Sequence, residues 1–391
     1  MLKRTILIII IVITGMCSAA IIHGYLSANA PVVINAEDEL PLSEEKLYET
    51  INITAIGDCL MHNTQILSGQ QADGSYNFDT FFTPVKPLIE EGDYCSANFE
   101  APMAGPDSRY AGYPLFNSPD EIADTFKQAG IDLIITANNH ILDRGYKGAL
   151  RTMEVLHSRG LDTTGTYASR EESQQFLIKD IRGVKVGYLA YSYSTNGIPV
   201  PAEHPYFFNY LQPEKIVQDI ALLRPQVDVV VLVLHWGQEY QPRPTEEQRQ
   251  MAIKFLSAGA DIILGSHPHV IQTMETLKID DRDAFVIYSM GNFISHQHGQ
   301  ERNSGIVLNI ELVKSFKDNR TRLKSVNYTP TYSHSYTDNG RTFFRVVPVE
   351  DTIKRIEAGK EPYLSHSDLP VLKSVLNHTR NQLGDPFCYD S

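Results

Sequence analysis

Five short segments between Gly57 and His269 carry residue types that could do chemistry together: Gly57-Asp58, Asn98-Phe99-Glu100, Asn138-Asn139-His140, His235-Trp236-Gly237 and Gly265-Ser266-His267-Pro268-His269. Carboxylate oxygen, amide oxygen and imidazole nitrogen are the donor set of a hard-to-borderline dication such as Mn²⁺, Zn²⁺ or Fe²⁺. One or two such ions are expected, because a single carboxylate often bridges a pair and the metal makes bound water a better nucleophile. His267 and His269 are the most specific signal. With Pro268 stiffening the turn between them, they either face different ions or grip one from two sides.

Taken singly, each segment has an ordinary explanation. A lone strand-end Asp caps a helix or turn, an Asn pair marks a turn, and a His beside Trp packs. Taken together these explanations weaken, because all five segments follow apolar runs that read as core strands. Those strands are predicted at Ile51–Ile56, Tyr94–Asn98, Ile131–Thr136, Val227–Leu234 and Ile262–Leu264, with two more at Val184–Ala190 and Ala284–Tyr288. Helices are predicted over Pro119–Ala129, Gly145–Arg159, Pro213–Leu223 and Thr245–Ala258. This alternation is that of an α/β fold, and the continuous run Val229–Leu234 implies a strand covered on both faces. Ligands of open α/β sheets sit outside the carboxyl ends of strands. The five segments are therefore expected to meet at one rim.

Beyond Gly305 the pattern changes to strands at Ile306–Val313, Ser325–Thr329 and Thr342–Pro348, expected to complete the same sheets, followed by a helical stretch over Asp368–Leu383. The chain divides into an amino-terminal anchor or signal segment (1–30), a polar linker (31–49), the main domain (50–350) and a helical tail (351–391). Thr5–Ile22 is apolar and long enough to span a bilayer. Lys3 and Arg4 ahead of it orient the amino terminus to the cytoplasm, so the main domain is expected on the extracytoplasmic face of a single-pass membrane protein. Ala28-Asn29-Ala30 offers a cleavage context, but its distance from the apolar run favours an uncleaved anchor.

The 391-residue chain carries a formal net charge of -13 and no Lys/Arg block beyond the anchor residues, which argues against nucleic acid as a partner. Three cysteines outside the anchor, Cys59, Cys95 and Cys388, are too few for a disulfide-stapled fold. Cys59 and Cys95 are read as a pair, as ligands or as buried thiols, the last being the simplest.

The ordered set ITAIGD (53–58), NFEAPM (98–103), TANNHILDRG (136–145), LHWGQEY (234–240), GSHPHV (265–270) and YSMGNFI (288–294) resembles the CapA family of capsule and poly-γ-glutamate synthesis proteins. That family is similar to calcineurin-like metallophosphoesterases. The resemblance implies a layered sandwich of mixed β-sheets flanked by helices, behind an amino-terminal membrane helix. It also implies Asp58 and His269 on one metal, Glu100 bridging, and Asn139, His235 and His267 on a second, with His140 as the acid that protonates a leaving oxygen. One position departs from the phosphoesterase pattern: Leu60 stands where an Asp-x-His motif would place a histidine. His62 or Cys59 would then have to complete the first metal, or a single ion binds, with or without hydrolysis.

Asp143 is read either as a hydrogen-bond support for His140 or as a helix N-cap. Asn292 is read either as orienting a site residue or as capping the following turn, the turn at Gly291 being favoured, and His296 and His298 as lying in a solvated loop. The function implied is a membrane-anchored protein acting on an anionic polymer or a phosphate-bearing envelope component. The alternatives are a metal-dependent phosphoesterase of extracellular nucleotides or envelope phosphates, and a non-catalytic scaffold for a membrane polymer synthase.

Overall fold

The structure is a computed structural model in which residues 47–388 are described. The predicted membrane segment, most of the linker and Cys17 lie outside them, and among the described residues no helix is long and apolar enough to cross a membrane. The chain first lays down β1 (Tyr48–Cys59), β2 (Tyr94–Phe99), β3 (Leu133–Ile135) and β4 (Asp162–Thr164), four parallel neighbours in one sheet. It then builds a second sheet from β5 (Leu177–Ile181), β6 (Val184–Ser192), β7 (Val229–His235), β8 (Ile262–Ser266), β9 (Met274–Ile279) and β10 (Arg282–Ile287). Finally it returns to the first sheet with β11 (Asn292–Ile294), β12 (Ser304–Ser315), β13 (Arg320–Asp338), β14 (Arg341–Pro348) and β15 (Phe387–Cys388). The first sheet runs β14-β13-β12-β1-β2-β3-β4, with β11 beside β1 and β15 beside β13; the second runs β5-β6-β7-β8-β10-β9.

The apolar pattern explains the layering. Along β7, Val229, Val231 and Val233 point to a core shared with Ile53 and Ala55 of β1, Leu133 and Ile135 of β3, and Ile306, Leu308 and Ile310 of β12. Val230, Leu232 and Leu234 point the other way, onto α4 (Pro213–Leu223) and α5 (Glu246–Ala258) through Ile216, Ile220, Phe255 and Leu256. Before them in the chain come α1 (Asn63–Gly69), α2 (Glu121–Gln128) and α3 (Gly145–Ser158). Ile122, Phe126 and Leu156 of α2 and α3 pack with Ala97 and Phe99 on the outer face of the first sheet. Two sheets face one another between two helical layers. The predicted helices hold to within a residue or two at their ends. Thr245 is the N-cap of α5, paired with Gln248 in a capping box, and Gly259 ends the helix with a left-handed φ of 119°.

Several elements escaped the sequence pattern. Strands β4, β5, β9, β11 and β15 are short or half-exposed, and the predicted strand Ser325–Thr329 is the middle of the 19-residue β13. In the carboxyl-terminal part, α6 (Val349–Glu357) and α7 (Leu369–Leu383) are followed by β15, which pairs with β13. Cys59 and Cys95 are free and buried. The parallel register sets Cys95 opposite Thr54 and Cys59 opposite Phe99, so the two sit at different heights on neighbouring strands. Burial pushes both thiols well up, which makes them unreactive.

Candidate metal centre

Parallel pairing brings the predicted residues to one rim. Asp58 at the end of β1 lies opposite Asn98 of β2, and His235 at the end of β7 lies opposite Ser266 of β8. Two glycines let the backbones close there. A Cβ on Gly57 would stand 2.1 Å from the carbonyl oxygen of Gly291, and one on Gly265 would stand 1.9 Å from that of Tyr288. Only glycine permits those approaches. The backbone at His267 (φ 96°) and His269 (φ 57°) is left-handed, a conformation disfavoured for side chains with a Cβ.

All eight predicted site residues meet at this rim and are buried, none more than 7 % exposed. Asp58, Glu100 and His235 bring ligand atoms within 4.8 Å of one another, and so do Glu100, His267 and His269. Glu100 belongs to both groups. Asp58 Oδ1 accepts a hydrogen bond from Asn98 Nδ2 at 2.7 Å, and its Oδ2 accepts from the His267 backbone N–H and lies 3.2 Å from His269 Nδ1. His235 Nε2 is 2.7 Å from Asn139 Oδ1, and its Nδ1 is 3.0 Å from Ser266 Oγ. Glu100 Oε1 is 3.5 Å from His235 Nε2 and 3.7 Å from His269 Nε2. Beside this set, His140 Nδ1 lies 2.8 Å from Asp143 Oδ2, which also accepts the Phe116 backbone N–H at 2.7 Å. Of the two readings of Asp143, the support of His140 is the one observed, since the N-cap position of α3 is held by Arg144.

Electrostatics follow the packing. Burial opposes the charge on Glu100, but His269 and His235 outweigh it and hold the carboxyl well below the usual carboxylate range. Burial also disfavours protonated His269, yet Glu100 and Asp58 push it up to about 9. For His140, burial is likewise overcome by the bond to Asp143 and by Glu100, and its pKa rises. Burial, reinforced by His235, pushes His267 strongly down and keeps it neutral, the form that ligates. Three buried polar atoms here have no hydrogen-bond partner, Glu100 Oε1, His267 Nδ1 and Asp143 Oδ1, the first two on residues of the ligand groups. Buried atoms of this kind are normally satisfied, and a dication is a partner that suits a carboxylate oxygen and a neutral imidazole nitrogen alike. The donor set therefore fits a divalent metal.

The structure also decides what the sequence left open. His62 bonds Gln65 Oε1 at 3.1 Å through Nδ1, and Cys59 sits in the core behind the first sheet, so neither joins the clustered ligand atoms. Both readings of Asn292 hold, not only the favoured turn. Its Nδ2 does tie the following loop, donating to the Arg302 carbonyl at 2.7 Å, but its Oδ1 lies 3.0 Å from His269 Nδ1 and orients that ring. His296 and His298 are exposed as expected.

Four more residues shape the rim: Asn98 and Asn138, which the sequence segments contain without an assigned role, and Tyr193 and Asn196, which were not foreseen. Asn98 holds Asp58, Asn138 accepts the His140 N–H at 3.2 Å, Asn196 Oδ1 accepts from Asn139 Nδ2 at 3.2 Å, and Tyr193 packs over His267 with ring centres 4.5 Å apart. Tyr193 and Asn196 follow β6, another parallel strand, so the strand-end rule applied to that strand would have found them.

The fold and site together define a two-sheet α/β protein with a metal-competent cluster at the carboxyl ends of its strands. The family model described as "Bacterial capsule synthesis protein PGA_cap" matches residues 52–297. The chain belongs to that family. It is 28% identical over 289 residues to the "Capsule biosynthesis protein CapA" of Bacillus anthracis, covering 71% of this chain and 67% of the relative. It is also 28% identical over 241 residues to the "PGA biosynthesis protein CapA" of Bacillus subtilis, covering 61% of this chain and 62% of the relative. The matches thus span about two thirds of each relative's length. Similar solved structures include a phosphatase of Mycoplasma pneumoniae (12% identity, TM-score 0.44, 72% of this chain and 93% of that one). Another is a 5'-nucleotidase precursor of Thermus thermophilus (13% identity, TM-score 0.45, 85% of this chain and 59% of that one).

Proposed function

We propose that this protein is a cell-surface component of capsule or poly-γ-glutamate synthesis that works at a divalent-metal centre of one or two ions. Its substrate is an anionic polymer or a phosphate-bearing envelope component. Its amino-terminal segment holds it to the membrane as a single-pass protein, with the main domain on the extracytoplasmic face and within reach of a membrane synthase. Family membership supports the pathway. The observation that carries the metal centre is Glu100: fully buried, shared by both ligand groups, with Oε1 facing His235 and His269 but making no hydrogen bond.

In this reading Asp58, Glu100, Asn139, His235, His267 and His269 hold the metal, which supplies Lewis acidity and a lowered pKa for bound water. The chain's own groups do the rest. Asn98 and Asn292 fix Asp58 and His269 by hydrogen bonds at 2.7 and 3.0 Å. The Asp143 carboxylate can only accept, so it holds the proton on His140 Nδ1 and leaves Nε2 to exchange a proton with a substrate oxygen. That pair is the observation that favours hydrolysis of a phosphoester over a purely structural cluster.

Elemental analysis of the full chain, purified without chelators, tests the centre. Near-stoichiometric Mn, Zn or Fe, lost on His267→Ala, is expected. Absence of transition metal in the wild-type protein would end the reading. Polymer output in cells carrying His267→Ala separates the remaining alternatives, since a scaffold would keep its output despite the lost metal.

A further inference from the structure

Beside the metal cluster lies a second feature that the site does not use. The loop from Ser295 to Ser304 leaves a cavity of about 580 Å³ bounded by Tyr240, Val270, His298 and Arg302. Tyr240 belongs to this wall because its backbone N–H donates to the Pro268 carbonyl at 2.8 Å, inside the Ser-His-Pro-His turn. Its ring centre is 6.0 Å from that of His269. The Arg302 guanidinium sits over the same ring, Cζ 3.8 Å from its centre. One aromatic ring thus separates a cation from a histidine of the site.

Most arginines of this acidic chain are already engaged. Arg151 is bidentate on Asp120, Arg224 and Arg282 both reach Asp261, and Arg249 reaches Glu275. Arg302 is half-buried, and among the described residues its guanidinium has neither a carboxylate partner nor a hydrogen-bond acceptor. Its neighbour Glu301 turns away toward His378, 4.0 Å off. Five N–H donors in a planar fork are left facing the cavity. The backbone that carries them is fixed: the Arg302 carbonyl accepts from Asn292 Nδ2 at 2.7 Å and from Ser295 Oγ at 2.9 Å, and that same Asn292 orients His269. The fork is held in place relative to the cluster before any ligand arrives, which lowers the ordering cost of binding.

We infer that Arg302, braced on Tyr240, is a specificity-determining residue that clamps an oxyanion of the substrate next to the metal centre. This rests on the proposed function and extends it. A guanidinium recognises carboxylate and phosphate oxygens through the same paired N–H bonds, so the free α-carboxylate of a γ-linked polymer and an envelope phosphate are its two sources. A positive fork at this point also gives a polyanion a place to dock on a chain of formal net charge -13.

The test is calorimetric binding of two probes, a γ-linked glutamate tetramer and inorganic phosphate, to the full chain loaded with Mn²⁺. The wild-type protein is expected to bind at least one of them. Arg302→Met should weaken that probe by about tenfold or more, and Arg302→Lys by less, since an ammonium keeps the charge and loses the fork. Metal content should not change, because the carbonyl and not the side chain of Arg302 ties the loop to Asn292. The probe that loses affinity identifies the oxyanion. Equal affinity in Arg302→Met, or no binding of either probe by the wild-type protein, would overturn the inference. Metal content measured on the same samples keeps the two readings apart: loss of the metal reading leaves the probe comparison intact.

Discussion

Nε2 of His235 lies 2.7 Å from Oδ1 of Asn139, across 96 residues of sequence and from one sheet to the other. His235 ends β7 in the second sheet, while Asn139 follows β3 in the first. Ser266 Oγ, 3.0 Å from the other ring nitrogen, pins the same imidazole from β8. The candidate centre is therefore a seam between the sheets, and its geometry depends on how they face one another.

The unpartnered Glu100 oxygen makes a thermal prediction. Metal that binds only the folded protein stabilises it by about 3 kcal/mol when present at a hundredfold excess over Kd, so a chelator should lower the Tm of the wild-type protein. In Glu100→Gln the Tm should no longer respond to chelator. A variant that responds as the wild type does would remove Glu100 from the centre.

His140 and Asp143 predict a graded loss of turnover. With a chromogenic phosphodiester and Mn²⁺, His140→Ala should lower kcat by about a hundredfold or more, the scale of general acid–base catalysis. Asp143→Asn should lower kcat by less and leave KM and metal content near wild type, because Asp143 bonds His140 and the Phe116 backbone N–H and belongs to neither ligand group. Equal kcat in wild type and His140→Ala would dismiss the acid role.

At the close approach of β1 and β11, Gly57→Ala should disrupt the site out of proportion to its size. The added carbon would meet the Gly291 carbonyl oxygen at 2.1 Å, which forces Asp58 and Asn292 apart along paired strands. Elemental analysis of the folded variant should find metal content reduced at least severalfold. Retention of full metal content would mean that the rim tolerates the shift.

Away from the site, His334 predicts a slope in stability with pH. Burial, reinforced by Arg345, lowers it to about 4, and Arg345 Nε donates to His334 Nδ1 at 3.2 Å, which requires a neutral ring. The unfolded chain binds this proton near 6.5 and the folded chain only near 4. The stability is complete above about 6.5 and declines as pH falls toward 4, by about 3 kcal/mol in all. Urea melts at pH 7 and pH 5 should differ less in His334→Leu than in wild type. An unchanged difference would refute the assignment.

Much of this protein was legible in its sequence because its core strands are parallel and covered on both faces. Runs such as Val229–Leu234 announce themselves, and the rule that ligands collect at the carboxyl ends of parallel strands turns five separated motifs into one expected site. That rule placed Asp58, Glu100, Asn139, His140, His235, His267 and His269 together without any distance. It could not recover β4, β5 or β9, which are short or half-exposed and give no continuous apolar signal.

What the sequence alone determined, then, was which chemical groups reach the rim, because strand direction fixes the end at which each motif emerges. The tertiary structure decided how those groups pair. That Glu100 is shared, that Asn292 orients His269, that His62 and Cys59 stand apart and that Arg302 is left unspent all depend on side-chain contacts between the two sheets and the loops above them. Such contacts join residues distant along the chain at separations of a few ångströms, and no local pattern of residue types encodes them.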